Sequence, residues 1–290
     1  MHPYELLWRV PGLADRLAAT LFLTPFGEPD ATAPPRARSE RVVLPGPQGA
    51  VARVHEPVDR GSGDAAPVFL VHGWGGAASQ MAGFVDALVE RGHRAITIDL
   101  PAHGESPGRR TNVLECRDVL LGAARRFGEP RGIIAHSFGA PVAALAVREG
   151  LAVGALVFIA PLPSMDHGLR QFALRARVPL DVMDRAARRI EADLGFRRTV
   201  MDLVELAQRN QAPLLCLHDV DDRVTPVEAS REIVRSWPAA RILETRGLGH
   251  RRILRDPAVI EHAVAFLAQG HQERPRDLER ALAAQCALEA

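Results

Sequence analysis

The sequence predicts an α/β fold: a mostly parallel eight-stranded sheet with helices on both faces and a small helical insertion after the sixth strand. Three observations carry this expectation. From Arg41 onward, short β-rich segments alternate with helical patterns, as in a parallel sheet covered on both sides. The stretch Ile133-Ile134-Ala135-His136-Ser137-Phe138-Gly139-Ala140 sets one serine between an apolar strand and an apolar helix. The alternation then breaks between Ser164 and Asn210, where two or three helical patterns follow one another with no strand between them.

Along the chain, residues 1–25 read as one or two short helices, interrupted by Pro11, with Leu13, Ala14, Leu17, Ala18, Leu21 and Phe22 forming an apolar stripe. A Pro-rich linker follows at Pro29–Arg38, so residues 1–38 stand apart as an N-terminal segment. The stripe suits packing on the protein's own body, because Asp15 and Arg16 are its only charges and no basic cluster accompanies it. A homodimer contact or a weak membrane-surface contact through this helix is the alternative. Strands are expected near 41–45, 50–55, 67–71, 94–99, 131–136, 153–159, 213–218 and 240–244. Helices are expected near 78–91, 112–127, 138–149, 226–237 and 256–269. The core then comprises 39–163 and 211–270, the helical insertion 164–210, and a C-terminal helical tail 271–290. Phe172, Leu174, Leu180, Met183, Ile190, Leu194, Phe196, Met201 and Leu203 supply the insertion's apolar faces.

Composition narrows the chemistry. With 290 residues, 47% of them hydrophobic, the chain can bury a full core. A net charge of +1 gives no bulk field to recruit nucleic acid. Every basic residue is arginine, so Schiff-base, PLP and P-loop mechanisms, which need a lysine, are excluded. Cys116, Cys216 and Cys286 are widely spaced, which argues against a disulfide framework or a C-x-x-C site. No zinc-ligand, haem, flavin or nicotinamide pattern occurs, so neither metal nor cofactor is expected. No stretch reaches about 18 uninterrupted apolar residues, and no signal-peptide pattern opens the chain, so no transmembrane segment and a cytoplasmic location are expected.

Ser137 is the candidate nucleophile. A strand turning abruptly into a helix needs small neighbours such as Ala135 and Gly139, and it pushes the hydroxyl out at the helix N-terminus. A serine needs a base, and His250 alone of eleven histidines lies in a glycine-flanked loop after the last expected strand. The strand at 67–71 runs into His72-Gly73-Trp74-Gly75-Gly76, whose backbone can approach a ligand closely. The strand at 213–218 runs into His218-Asp219-Val220-Asp221-Asp222, followed by Pro226.

The order Ser, Asp, His, each just after a strand, resembles the α/β-hydrolase superfamily, in its bacterial esterase, lipase and monoacylglycerol-lipase-like branch. Asp99-Leu100-Pro101-Ala102-His103-Gly104-Glu105-Ser106 resembles the family's D-x-P-G-H-G-x-S loop, with Ala102 replacing a glycine. The resemblance covers about residues 40–269 and implies the α/β-hydrolase fold, with the insertion as a cap over the site. It implies Asp222 as the acid, ahead of Asp221 and Asp219, and the backbone N–H groups of Trp74 and Phe138 as the oxyanion hole. His72 and His103 are expected to order their own loops. Arg251 and Arg252, with Arg188, Arg189, Arg197 and Arg198, read as solvated faces, an anionic substrate group being the alternative.

The implied activity is hydrolysis of a carboxylic ester, or a thioester, of a small or lipid-like substrate through an acyl-enzyme. A serine at the elbow disfavours haloalkane dehalogenases and epoxide hydrolases, which use aspartate, and dienelactone hydrolases, which use cysteine. A C–C bond hydrolase, a serine peptidase of short substrates and a non-catalytic binding protein of this fold remain as alternatives.

Overall fold

The computed structural model describes residues 8 and 10 and the segments 12–27, 33–45, 49–57 and 66–269. The tail expected at 271–290, Cys286 and most of the first eleven residues lie outside them. Eight strands form one sheet: β1 (Ser39–Val43), β2 (Val51–His55), β3 (Val68–Val71), β4 (Ala95–Asp99), β5 (Gly132–His136), β6 (Ala155–Ile159), β7 (Leu214–Asp219) and β8 (Ala240–Thr245). Their order is β1-β2-β4-β3-β5-β6-β7-β8. β1 and β2 pair antiparallel, β2 joins β4 antiparallel, and every pair from β4 to β8 is parallel.

Ten α-helices are described: α1 (Leu13–Phe22), α2 (Ala82–Glu90), α3 (Val113–Phe127), α4 (Gly139–Arg148), α5 (Met165–Ala176), α6 (Leu180–Leu194), α7 (Leu203–Ala207), α8 (Val227–Ser236), α9 (Gly249–Arg252) and α10 (Pro257–Gln269). The strand residues β3 to β7 are buried end to end, and the pleat sends alternate side chains to opposite faces. Phe69, Ile96, Ile133, Leu156 and Cys216 point into a core shared with α3, α4 and the helices 165–207. Leu70, Ile134, Val157 and Leu215 face a second core closed by α2 and α10. Fully burying one such side chain contributes about 1.5–3 kcal/mol, which is why a register slip of one residue is not tolerated here.

Between β6 and β7 the chain forms α5, α6, a 3₁₀ turn at Arg198–Met201 and α7, with no strand. Ser164 Oγ accepts from the His167 N–H at the start of α5, and α6 stops at Gly195, φ 70°. Met183, Ile190 and Leu203 are buried there, whereas Leu174 and Leu180 are largely exposed. α1 lies against α6, fixed by an ion pair from Arg185 to Asp15 at 2.8 Å, with Ala14 and Ala18 fully buried between them. Of its stripe, Ala14 and Ala18 are buried and Leu17, Leu21 and Phe22 partly buried against the body, whereas Leu13 is 53% exposed.

Candidate active site

The parallel strands all end at one edge, and the candidate residues sit in the loops just beyond it. β5 leads directly into Ser137, whose φ is 51°, left-handed backbone that costs a non-glycine residue about 1–2 kcal/mol. The turn is held by Ser137 N–H donating to Ile159 O at 2.9 Å and by Leu162 N–H donating to Ser137 O at 3.0 Å. Gly139 is required: a Cβ there would lie 2.8 Å from Val71 O and 2.9 Å from His72 O.

Ser137 Oγ is 3.2 Å from His250 Nε2, and His250 Nδ1 is 2.8 Å from Asp222 Oδ2. An ionised carboxylate only accepts, so Nδ1 carries the ring proton and Nε2 is left to accept the serine O–H. His250 lies on α9 rather than in an irregular loop. That turn starts at Gly249, φ 64°, and it swings the imidazole back over Ser137.

Asp222 is fully enclosed. Oδ1 accepts from the Val224 and Thr225 N–H groups at 2.7 and 3.0 Å, and Oδ2 accepts from Thr225 Oγ1 at 3.1 Å. A second imidazole, His218, reaches Oδ2 with Nε2 at 3.4 Å while donating to Thr225 O at 3.0 Å; Ser230 Oγ donates to its Nδ1 at 2.6 Å. Burial pushes the Asp222 carboxyl up, but the bonds from His218 and His250 and the Val224 N–H outweigh it and hold the group well below the usual carboxylate range. The neighbouring aspartates are occupied elsewhere. Asp219 Oδ2 accepts from Thr245 Oγ1 and Leu248 N–H, and Asp221 Oδ2 accepts from Gly247 N–H.

Three further histidines frame the site as neutral rings. His72 Nδ1 donates to Gly73 O at 2.8 Å and Nε2 accepts from Leu100 N–H at 3.1 Å. Its approach to Asp99 Oδ1, 3.9 Å, is therefore not an ion pair, because Nε2 bears no proton. His103 Nδ1 donates to Pro101 O in its own turn, and Nε2 also accepts from Gly75 N–H at 3.0 Å, so it braces the Gly73–Gly76 loop from across the site. His136 Nε2 donates to the main-chain oxygen of His250 at 3.0 Å, tying the His250 turn to the strand that leads into Ser137. The bracing by His103, His136 and His218 is not evident from the sequence. Its only sequence marks are His136 directly before Ser137 and His218 four residues before Asp222.

Trp74 and Phe138 flank Ser137 and stack edge to face at 5.0 Å. Among the described residues neither main-chain N–H has a backbone acceptor. Both residues line a cavity of about 600 Å³ that opens onto Ser137 and His250. Its walls include Leu162, Met165, Phe172, Ile190, Phe196 and Met201 from the segment between β6 and β7, together with Phe22, Leu23 and Phe26 from the N-terminal segment. Phe22 stacks on Trp74, centroids 6.5 Å apart, and meets Phe172 edge-on at 5.7 Å.

Burial pushes the Cys116 and Cys216 thiols up to about 12, so neither supplies a thiolate nucleophile. Among the described residues no group of three or more His, Cys, Asp or Glu is placed to hold a metal ion. No helix among them is long and apolar enough to cross a membrane. Of the arginines near the segment between β6 and β7, Arg198 pairs with Asp166 at 2.8 Å and Arg189 with Asp193 at 3.3 Å.

Comparison with known proteins agrees with this architecture. The chain is similar to the esterase Pf2001 of Pyrococcus furiosus, at 17% identity and a TM-score of 0.64, covering 85% of this chain and 99% of that one. It is similar to a crystallised membrane phospholipase A, at 18% identity and a TM-score of 0.60, covering 92% of both chains. It also resembles the bromoperoxidase of Bacillus anthracis, at 15% identity and a TM-score of 0.61, covering 80% and 100%. At these identities the likeness establishes the fold. In sequence, 145 residues are 29% identical to the sn-1-specific diacylglycerol lipase ABHD11 of Danio rerio, covering 46% of this chain and 45% of that relative. The matched segment thus spans less than half of that protein. Residues 68–269, which carry all six mutually parallel strands, match the model of the alpha/beta hydrolase family, and the chain belongs to that family.

Proposed function

We propose that this protein is a serine hydrolase that cleaves a carboxylic ester, with thioester as a close variant, through an acyl-enzyme. The observation that carries this reading is the unbroken chain Ser137 Oγ, His250 Nε2, His250 Nδ1 and Asp222 Oδ2, with steps of 3.2 and 2.8 Å, at the mouth of an apolar cavity. In this mechanism Ser137 Oγ attacks the ester carbonyl carbon while His250 Nε2 takes its proton. The carbonyl oxygen becomes an oxyanion that accepts from the Trp74 and Phe138 N–H groups, and Asp222 stabilises the imidazolium. Collapse expels the alcohol, which receives the proton from His250. A water then repeats the sequence and releases the acid.

The acyl portion sits among Phe172, Ile190, Phe196 and Met201, with Phe22 joining that lining to Trp74. Residues 164–210 therefore serve as a cap that selects substrates, assisted by the N-terminal segment. The lipase and esterase among the similar proteins support an ester substrate over a peptide or a C–C bond. Free, buried Cys116 and Cys216 fit a reducing, cytoplasmic setting.

The test is labelling by a fluorophosphonate probe together with hydrolysis of p-nitrophenyl esters from acetate to palmitate. Wild type is expected to be labelled and to turn over the esters, and Ser137→Ala to do neither. Labelling that survives in Ser137→Ala removes the nucleophile assignment. A wild type that binds esters without labelling or turnover makes the protein a binder.

A further inference from the structure

Beside the apolar cavity lies a second one, of about 640 Å³. Leu23, Asn112 and Ile190 belong to the walls of both and form the partition between them. Apart from Ala19 and Leu194 the rest of the second cavity is polar, and four arginines border it: Arg16 from α1, Arg109 and Arg110 from the turn before α3, and Arg189 from α6. Two carboxylates, Glu115 and Asp193, complete the charged lining, and Asp193 is engaged by Arg189.

Some arginines of this surface have carboxylate partners, and others, among them Arg170, Arg188 and Arg235, have none among the described residues. Arg41 and Arg53 share Glu105, Arg185 bridges Asp15 and Asp181, and Arg231 holds Glu244. Among the described residues the guanidinium groups of Arg16, Arg109 and Arg110 have no ion-pair or hydrogen-bond partner. Their backbone is nevertheless fixed. Thr111 N–H donates to Leu23 O at 2.9 Å, joining the turn to the N-terminal segment, and Asn112 Oδ1 caps α3 by accepting from the Leu114 and Glu115 N–H groups. Four arginines against two carboxylates leave the lining with a positive excess, near the positive end of a 15-residue helix, which favours an anion there.

We propose that this cavity binds a phosphate group carried by the acyl substrate, so that the substrate spans the partition with its chain among the apolar walls and its phosphate among Arg16, Arg109 and Arg110. The proposal rests on the ester-hydrolase reading and specifies its substrate class. A phosphate offers several oxygens to forked guanidinium donors, which one carboxylate cannot match. Two sources share this chemistry: the headgroup of a lysophospholipid and the nucleotide phosphates of an acyl-coenzyme A thioester.

The experiment compares wild type with the triple variant Arg16→Gln/Arg109→Gln/Arg110→Gln on three substrates of one acyl chain: a 1-acylglycerol 3-phosphate, an acyl-coenzyme A and a monoacylglycerol. The variant is expected to lose about ten-fold or more in kcat/KM, through KM, on a phosphate-bearing substrate and to change by less than about two-fold on monoacylglycerol. Loss on only one of the first two identifies the source. Equal effects on all three, or none on any, overturn the proposal. If wild type hydrolyses none of them, the ester-hydrolase reading fails, and the anion site is judged by calorimetry with dodecyl phosphate and with dodecanol. Wild-type binding of the phosphate that the triple variant loses sustains the site, and equal binding of phosphate and alcohol, or no binding, removes it.

Discussion

Lowering the pH from 7 to 5 removes stability from this fold through imidazoles that it buries uncharged. Burial, as the largest cause, holds His72 and His103 down at about 4 and His136 at about 3, against an ordinary 6.5; His55 is lowered in the same sense. Each ring stays neutral in the folded protein, whereas its unfolded counterpart takes up a proton below about pH 6.5. Unfolding therefore binds protons in this window, and stability falls as pH falls. The contribution is whole above about pH 6.5 and is lost on the way down to the folded values near 4 and 3. At about 1.4 kcal/mol per proton per pH unit, each of the three strongest rings costs about 2 kcal/mol by pH 5, and together they cost about 6 kcal/mol. That is comparable to the entire stability of a typical domain, about 5–15 kcal/mol. Asp99, whose carboxyl is raised by burial, works in the opposite sense, and Asp222 enters only below about pH 4. Urea unfolding followed by tryptophan fluorescence at several pH values from 7.5 to 5 reads the slope directly. About 3–4 kcal/mol per pH unit is expected below pH 6, at constant m. A slope under about 1.4 kcal/mol per pH unit, one proton or fewer, refutes the reasoning.

Other perturbations follow from the same contacts. Asp222→Asn keeps the shape but loses the acceptor that fixes the His250 tautomer, so kcat on p-nitrophenyl esters should fall by about 10³–10⁴; a loss below about ten-fold counts against its role. Ala102→Gly relieves a residue held at φ 63° and should raise the urea midpoint, by about 1 kcal/mol in stability. Gly139→Ala forces a Cβ onto the backbone oxygens of Val71 and His72 and should lower stability by about 1–3 kcal/mol, measured by the same unfolding assay. Phe22→Ala removes the ring between Trp74 and Phe172, and an ester panel should shift toward longer acyl chains by about ten-fold in relative kcat/KM; an unchanged profile would place that wall outside substrate contact.

The strands were legible because their signal is local. Segments such as Ile133–His136 and Leu214–Leu217 are bounded by turn residues, and all eight expected strands have observed counterparts with ends shifted by about one or two residues. The Ser137 turn was legible for the same reason, since small neighbours and a strand-to-helix switch fit within eight residues. Asp219, Asp221 and Asp222 were separable only by resemblance, because the deciding facts, Leu248 N–H on Asp219 and Gly247 N–H on Asp221, arise from a loop more than twenty residues away. The short helix carrying His250 was read as a loop, since four residues hold no periodicity. The least legible feature was the wall built by Phe22, Leu23 and Phe26. It depends on α1 lying along α6, a contact between segments about 170 residues apart for which the sequence holds no pairing signal.

That wall lies upstream of residue 68, where the family match begins, while Ser137, Asp222 and His250 all lie inside it. The candidate triad and part of the wall of the cavity beside it thus come from separate stretches of polypeptide. Changes at Phe22, Leu23 or Phe26 alter what fits the cavity, and because Phe22 stacks on Trp74 they also bear on the loop beside Ser137. For engineering, substitutions on this wall that keep the Phe22–Trp74 contact offer a way to change the cavity's shape from outside the segment that carries the candidate triad.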